Sequence, residues 1–199
     1  MKYLLTVFTL ISVLACKNAA EKPSEETDNS SEEKIEYTLT KEVNNEFDDP
    51  EEEGKMLLGK VNRNGLTNAP YNEWFTESQT NHTLDTVAVD SLKPLLDDTK
   101  VSVFMGTWCE DSQREVPALY KILDAADYNF ENFSIIAVSH DKDTPNQLEK
   151  GANIEYVPTI LFIKNGDTLN RIVEYAHKTL EQDMLTILQG KEYTPAYSE

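Results

Sequence analysis

Residues 106–117 read Gly-Thr-Trp-Cys-Glu-Asp-Ser-Gln-Arg-Glu-Val-Pro, and Cys109 is the residue among them suited to covalent chemistry. A thiolate is a nucleophile and a redox group, and its surroundings decide whether it reacts. Cys109 precedes a stretch of helical periodicity, so it would sit at a helix start. There, unsatisfied N–H groups and the positive end of the helix dipole favour the ionised sulfur. Ser112, three residues on, could donate a hydrogen bond to that sulfur, and Trp108 could shield it. Glu110 and Asp111 act the other way: two carboxylates beside the thiol oppose ionisation, although they suit the helix N-terminus itself. With no second sulfur nearby, a mixed disulfide formed at Cys109 must be resolved by an outside thiol. The plainer readings are a packed, inert Cys109, a Ser112 present as a helix-start residue, a core Trp108 and a solvated Glu115.

The other cysteine, Cys16, closes an almost unbroken apolar run from Tyr3 to Ala15 that follows Lys2. Such a run is short of the roughly 20 residues a membrane-spanning helix needs and reads as a signal peptide, outside the fold. Its end, Val13-Leu14-Ala15-Cys16, resembles a bacterial lipoprotein signal, although Leu14 stands two residues before the cysteine where three is usual. Ordinary cleaved secretion and an uncleaved anchor are the alternatives. Lipidation of Cys16 would anchor the chain by about 0.8 kcal/mol per buried methylene. It would leave Cys109 as the one thiol in an oxidising compartment, with no internal structural disulfide possible. The expected location is therefore the cell envelope, membrane-anchored and facing an extracytoplasmic space, either periplasm or cell surface.

The formal charge is −18. Most of it lies in residues 21–54, where fourteen Asp and Glu stand against three Lys. So acidic and apolar-poor a segment reads as a solvated tether that cannot offset its ordering entropy. The charge argues against nucleic acid as a partner, because phosphate contacts need basic patches. His82, His140 and His177 are widely spaced, without a second ligand at metal-binding intervals, and no phosphate loop or nucleophile elbow is present. No metal and no cofactor are expected.

Elements that could position the thiol follow from periodicity. Two short helical pieces are expected within 71–96, with Pro94 inside the second. Residues 100–106 form a buried strand, 110–126 a helix carrying Val116, Leu119, Ile122 and Leu123 on one side, and 133–139 a second buried strand. A short helix is expected near 145–153, closed by Gly151. Residues 159–163 and 168–175 make a hairpin about Asn165-Gly166, and 179–190 a final amphipathic helix stopped by Gly190. Strands alternating with helices and ending in a hairpin give an α/β fold, a central mixed sheet flanked by helices on both faces.

From Thr99 to Gly190 the sequence resembles the thioredoxin superfamily. The resemblance rests on a buried strand running into Trp108-Cys109, on Pro117 in the following helix, on Val157-Pro158-Thr159 opening a later strand, and on the Asn165-Gly166 hairpin. Glu115 with Pro117 is closer to its membrane-tethered, extracytoplasmic members than to the cytosolic reductant. The resemblance implies a cis Pro158 that sets the Val157 backbone beside the thiol, where a client chain could pair edge to edge. Where two-cysteine members often carry Gly-Pro and a second cysteine, this chain has Glu110-Asp111 and Ser112. Val103 stands where reductive members have a buried Asp. Net dithiol oxidation or reduction is thereby excluded, while exchange, isomerisation and capture remain.

The expected organisation is a signal peptide over 1–16, an acidic disordered tether over 17–54 and an N-terminal helical extension over 55–98. A thioredoxin-like domain over 99–190 and a tail over 191–199 complete it. The expected function is thiol–disulfide exchange through a catalytic Cys109 supported by Ser112, with Trp108, Val157 and Pro158 contacting protein substrates that carry disulfides or thiols. A non-catalytic module holding a client chain in the same groove is the alternative, and a structural role in the envelope is a third reading.

Overall fold

Thr99–Met105 (β3) is the strand on which the rest of the sheet is built, because it is paired along both edges. The structure, a computed structural model, describes residues 35–198. Contacts divide the chain into Met1–Ile35 and Glu36–Glu199. Apart from Ile35, the first unit lies outside the described residues, and so do the leader and Cys16. No helix among the described residues is long and apolar enough to cross a membrane.

Among the described residues, six strands form one mixed sheet. Asn45–Asp48 (β1) and Lys55–Val61 (β2) precede β3, and Phe133–Ala137 (β4), Thr159–Lys164 (β5) and Asp167–Val173 (β6) follow it. Their spatial order is β1-β2-β4-β3-β5-β6. The β3–β4 pair is parallel and the other four are antiparallel. The helices are Arg63–Leu66 (α1), Asn72–Asn81 (α2), Thr86–Leu96 (α3), Glu110–Ala125 (α4) and Leu180–Leu188 (α5). The α/β class, the mixed sheet and each strand and helix expected between 71 and 190 are present within about two residues, apart from the helix near 145–153.

Alternation along the strands divides the core. Val101, Val103 and Met105 point to one face and meet Leu119 and Leu123 of α4, Leu92 of α3 and Met184 of α5 in a single large cluster. Phe104 points the other way, into a small cluster with Val138, Val157 and Leu161. Val116, Leu119, Ile122 and Leu123 are fully buried at three- and four-residue spacing, the stripe an amphipathic helix must hide. The last turn of α2 is held by Lys121, whose ammonium donates to the carbonyls of Gln79 and His82, both at 2.7 Å.

Three expectations need correction. The acidic stretch 17–54 is not a solvated tether to its end: Asn45–Asp48 is a strand in register with β2, Asn45 pairing Leu58 and Asp48 pairing Lys55. Charge was the misleading signal, since Glu46 and Asp48 point outward while Asn45 is 2% exposed and its amide oxygen accepts from the Thr40 and Lys41 N–H groups. Secondly, the segment 55–98 is helical only from Arg63 onward; its start, β2, joins the sheet between β1 and β4. Met56, Leu57 and Leu58 are buried in succession, as a strand covered on both faces requires. Thirdly, residues 145–153 form turns and no helix. Gln147, Gly151 and Asn153 all take positive φ (54°, 85° and 53°), which breaks the i to i−4 ladder.

The extension is part of the core, so truncation there must be costly. Leu57→Ala is expected to lower the unfolding free energy by about 2–5 kcal/mol in a urea titration, whereas a loosely attached appendage would lose almost none.

Candidate active site

The site begins where β3 ends. Gly106, Thr107 and Trp108 turn the chain from the strand into α4, and Cys109 is the N-cap, with extended backbone at φ −89° and ψ 122°. Two backbone bonds close this turn: Cys109 N–H donates to the Gly106 carbonyl at 3.1 Å, and Gln113 N–H to the Cys109 carbonyl at 2.9 Å. The Gln113 amide also donates to the Thr107 carbonyl at 2.8 Å. Gly106 is required by packing, because a Cβ there would lie 2.5 Å from the Trp108 ring.

Cys109 is free and half-buried. Its S–H donates to the Val157 carbonyl at 3.1 Å. The Val157–Pro158 peptide bond is cis. Trp108 and Cys109 both pack on the cluster of Phe104, Val138, Val157 and Leu161. The Trp108 Nε1–H donates to the Val138 carbonyl at 3.1 Å, which ties the indole to the end of β4. The structure thus brings Trp108, Cys109, Val157 and Pro158 to one place.

Ser112 is nearby but differently engaged. It is fully buried, and its Oγ accepts from the Gly106 N–H at 3.2 Å, not from or to the sulfur. The third residue of α4 faces back into the strand–helix junction, where it satisfies the first amide beyond β3, that of Gly106. The expected Ser112–Cys109 hydrogen bond is therefore replaced by one to backbone.

Further along α4, Arg114 and Glu115 line an open hollow of about 490 Å³ together with His82, Ala176, Lys178 and Leu180. Glu115 is not the solvated residue of the plainer reading: its side chain is 13% exposed and accepts from Arg114 Nε at 3.0 Å. Burial pushes its carboxyl above the ordinary carboxylate range, against the opposing pull of Arg114. Behind the hollow, His82 Nε2 donates to Glu181 Oε1 at 2.9 Å. Burial opposes ionisation of Glu181, but His82 and the Asp85 N–H hold its carboxyl below the ordinary range. The second oxygen, Oε2, is buried with no partner among the described residues. No group of three or more His, Cys, Asp or Glu among the described residues could hold a metal ion.

Two neighbours of the site lay beyond sequence reasoning. His140 stacks on Trp108 with ring centroids 4.1 Å apart and planes 21° from parallel. Tyr197, in the tail, stacks on Tyr156 beside the cis peptide, at 4.4 Å and 21°. The sequence offers no periodic signal for either, since both lie in irregular chain.

A half-buried thiol capping a helix after a central strand, set against a cis X-Pro bond, defines a thioredoxin-like α/β protein. The thioredoxin family model matches residues 75–186, more than half of the chain, and the chain belongs to that family. Membership supports a general redox or thiol–disulfide role. Among solved structures, a protein of unknown function from Pseudomonas aeruginosa is 17% identical, with TM-score 0.48, covering 62% of this chain and 86% of that one. The oxidised form of mitochondrial thioredoxin 3 from Saccharomyces cerevisiae is 23% identical, with TM-score 0.29, covering 48% of this chain and 86% of that one. No match to a curated protein is found.

The raised carboxyl of Glu115 has a sign that can be measured. A folded-state value above the unfolded one means the folded chain holds the extra proton, so stability falls as pH rises through the interval between them. Glu115→Gln is expected to remove that fall in a pH series of urea melts begun below the ordinary glutamate value of 4.5. A series whose slope is unchanged by the substitution would contradict it.

Proposed function

We propose that this protein catalyses thiol–disulfide exchange through a single sulfur. The observation that carries this reading is the half-buried Cys109 at the α4 N-cap, hydrogen-bonded to the carbonyl that precedes the cis Pro158. In the proposed step the Cys109 thiolate attacks one sulfur of a client disulfide. A Cys109–client S–S bond forms, the client S–S bond breaks, and the departing sulfur leaves as a thiolate that takes up a proton. A second thiol, from the client or a small external thiol, then attacks the mixed disulfide and restores Cys109. No electrons are gained or lost by the protein over the cycle, so neither a second cysteine nor a cofactor is needed. Trp108, Val157 and Pro158 form the surface against which the client chain lies. Ser112, whose Oγ accepts from Gly106, supports the turn that presents the sulfur.

The proposed setting is the cell envelope, with the leader removed, Cys16 lipidated and the chain between the anchor and about residue 36 acting as a spacer. Clients are proteins with disulfides or thiols, reached outside the cytoplasm. A module that holds client chains without turnover uses the same surface and is separated from exchange by the trapping experiment below.

Cells expressing the protein are quenched with acid and alkylated, and mixed disulfides are resolved on non-reducing gels. Adducts are expected for the native chain and absent for Cys109→Ser; a native chain that captures none and resists thiol reagents supports the holding module instead. Separately, Cys16→Ala is expected to release the protein from the membrane fraction, and undiminished retention rejects lipidation.

A further inference from the structure

The hairpin of β1 and β2 lies outside residues 75–186, the part that matches the thioredoxin family model. It nonetheless reaches the surroundings of the thiol at two points. The Leu57 N–H donates to Thr107 Oγ1 at 3.0 Å in a fully buried contact, two residues before the thiol. The tip of the hairpin, residues 49–54, makes the second contact. There the Asp49 side chain is only 4% exposed, unlike its acidic neighbours; Glu51 is 63% exposed.

Asp49 Oδ1 accepts from the Glu51 and Glu52 N–H groups at 2.9 and 3.2 Å, which folds the tip. The same oxygen accepts from His140 Nε2 at 2.9 Å. His140 Nδ1 lies 3.3 Å from Glu51 Oε2. The imidazole fixed in this way is the ring stacked on Trp108. From the same loop, Lys142 Nζ lies 5.3 Å from the centre of the indole. The indole is therefore bounded by the Gly106 backbone, by the Val138 carbonyl that accepts from its N–H and by the stacked His140 ring. Carboxylates are seldom buried without a partner, and this buried one orients the ring, with the exposed Glu51 carboxylate of the same tip beside the other ring nitrogen.

We infer that Asp49 and His140 form a latch through which the N-terminal hairpin positions Trp108 beside the Cys109 thiol. Asp49 acts through His140 and is a positioning residue; neither touches the sulfur. The inference deepens the exchange reading, on which its biological meaning rests, but the geometry of the indole can be tested without any exchange activity.

The test uses the chain with Trp74→Phe, so that Trp108 is the sole indole. Its fluorescence emission is recorded with the rate at which iodoacetamide alkylates Cys109 at one fixed pH. His140→Ala and Asp49→Ala are each expected to shift the emission and to raise the alkylation rate about three- to tenfold, the range that losing one stacked ring pair commands. The double substitution should go no further than either single one. His140→Phe keeps a stacking ring that does not depend on a carboxylate, so in that background Asp49→Ala should change neither readout. This last comparison separates the latch from simple electrostatics, because removing a negative charge near the thiol would speed alkylation whatever occupies position 140. Asp49→Asn retains an oxygen for the turn and serves if the alanine variant does not fold. It should shift the emission partway with His140 in place and leave it unchanged with Phe at 140. Native emission and native alkylation in a folded Asp49→Ala chain, or an Asp49 effect that persists beside His140→Phe, overturns the latch. Failure to form mixed disulfides with clients would bear on the exchange reading alone.

Discussion

A strand hydrogen-bonded along both edges cannot shift at either end without breaking a neighbour, and β3 is in that position between β4 and β5. Its register with β5 sets Phe104 opposite Thr159, so Met105 and Gly106 come level with the Val157–Pro158 peptide. The chain then turns through Gly106–Trp108 into α4, and the sulfur at the N-cap falls 3.1 Å from the Val157 oxygen. The thiol is placed by ladder pairing laid down well away from it, and α4 is in turn fixed by the buried stripe from Val116 to Leu123. The local residues Glu110 to Ser112 tune the site; they do not locate it.

Around this frame the chain adds a hairpin that the thioredoxin family match does not include. It widens the sheet to six strands and contributes Leu57 to the large core cluster. It contacts the Gly106–Trp108 turn directly through the Leu57 N–H and, by way of His140, through the buried Asp49 carboxylate. On the opposite flank the tail brings Tyr197 onto Tyr156, next to the cis bond. Segments from both ends of the described chain thus border the same small surface, and the family core alone would leave that surface less defined.

The legible parts of the fold were those whose pattern is local. The apolar run before Trp108, the helical stripe of α4 and the Asn165-Gly166 turn each carry their own signal, whereas the meeting of Cys109 with Val157 and Pro158 is legible only through the resemblance to the thioredoxin superfamily. Composition misled where a few residues outweighed many: Asn45 and Met56–Leu58 anchor a hairpin inside chain that looks solvated or helical on average. The turns over 145–153 were hidden because a positive φ at Gln147 or Asn153 is a tertiary choice that neither residue type announces. Ser112 faces the backbone for a similar reason. Helix spacing alone leaves its hydroxyl partner open, and the structure shows that the Gly106 N–H donates to it. The stack of His140 on Trp108 joins residues 32 positions apart in irregular chain, beyond the reach of any periodicity.

The outermost strand on the β2 side of the sheet is only four residues long, and its exposed side chains are Glu46 and Asp48, with the exposed Glu51 to Glu53 just beyond. A strand from a second molecule seeking to extend the sheet there would find little backbone to pair with and a fence of like charge beside it. The acidity that disguises this strand in the sequence also guards its open backbone, protecting crowded copies of the molecule from zipping together edge to edge.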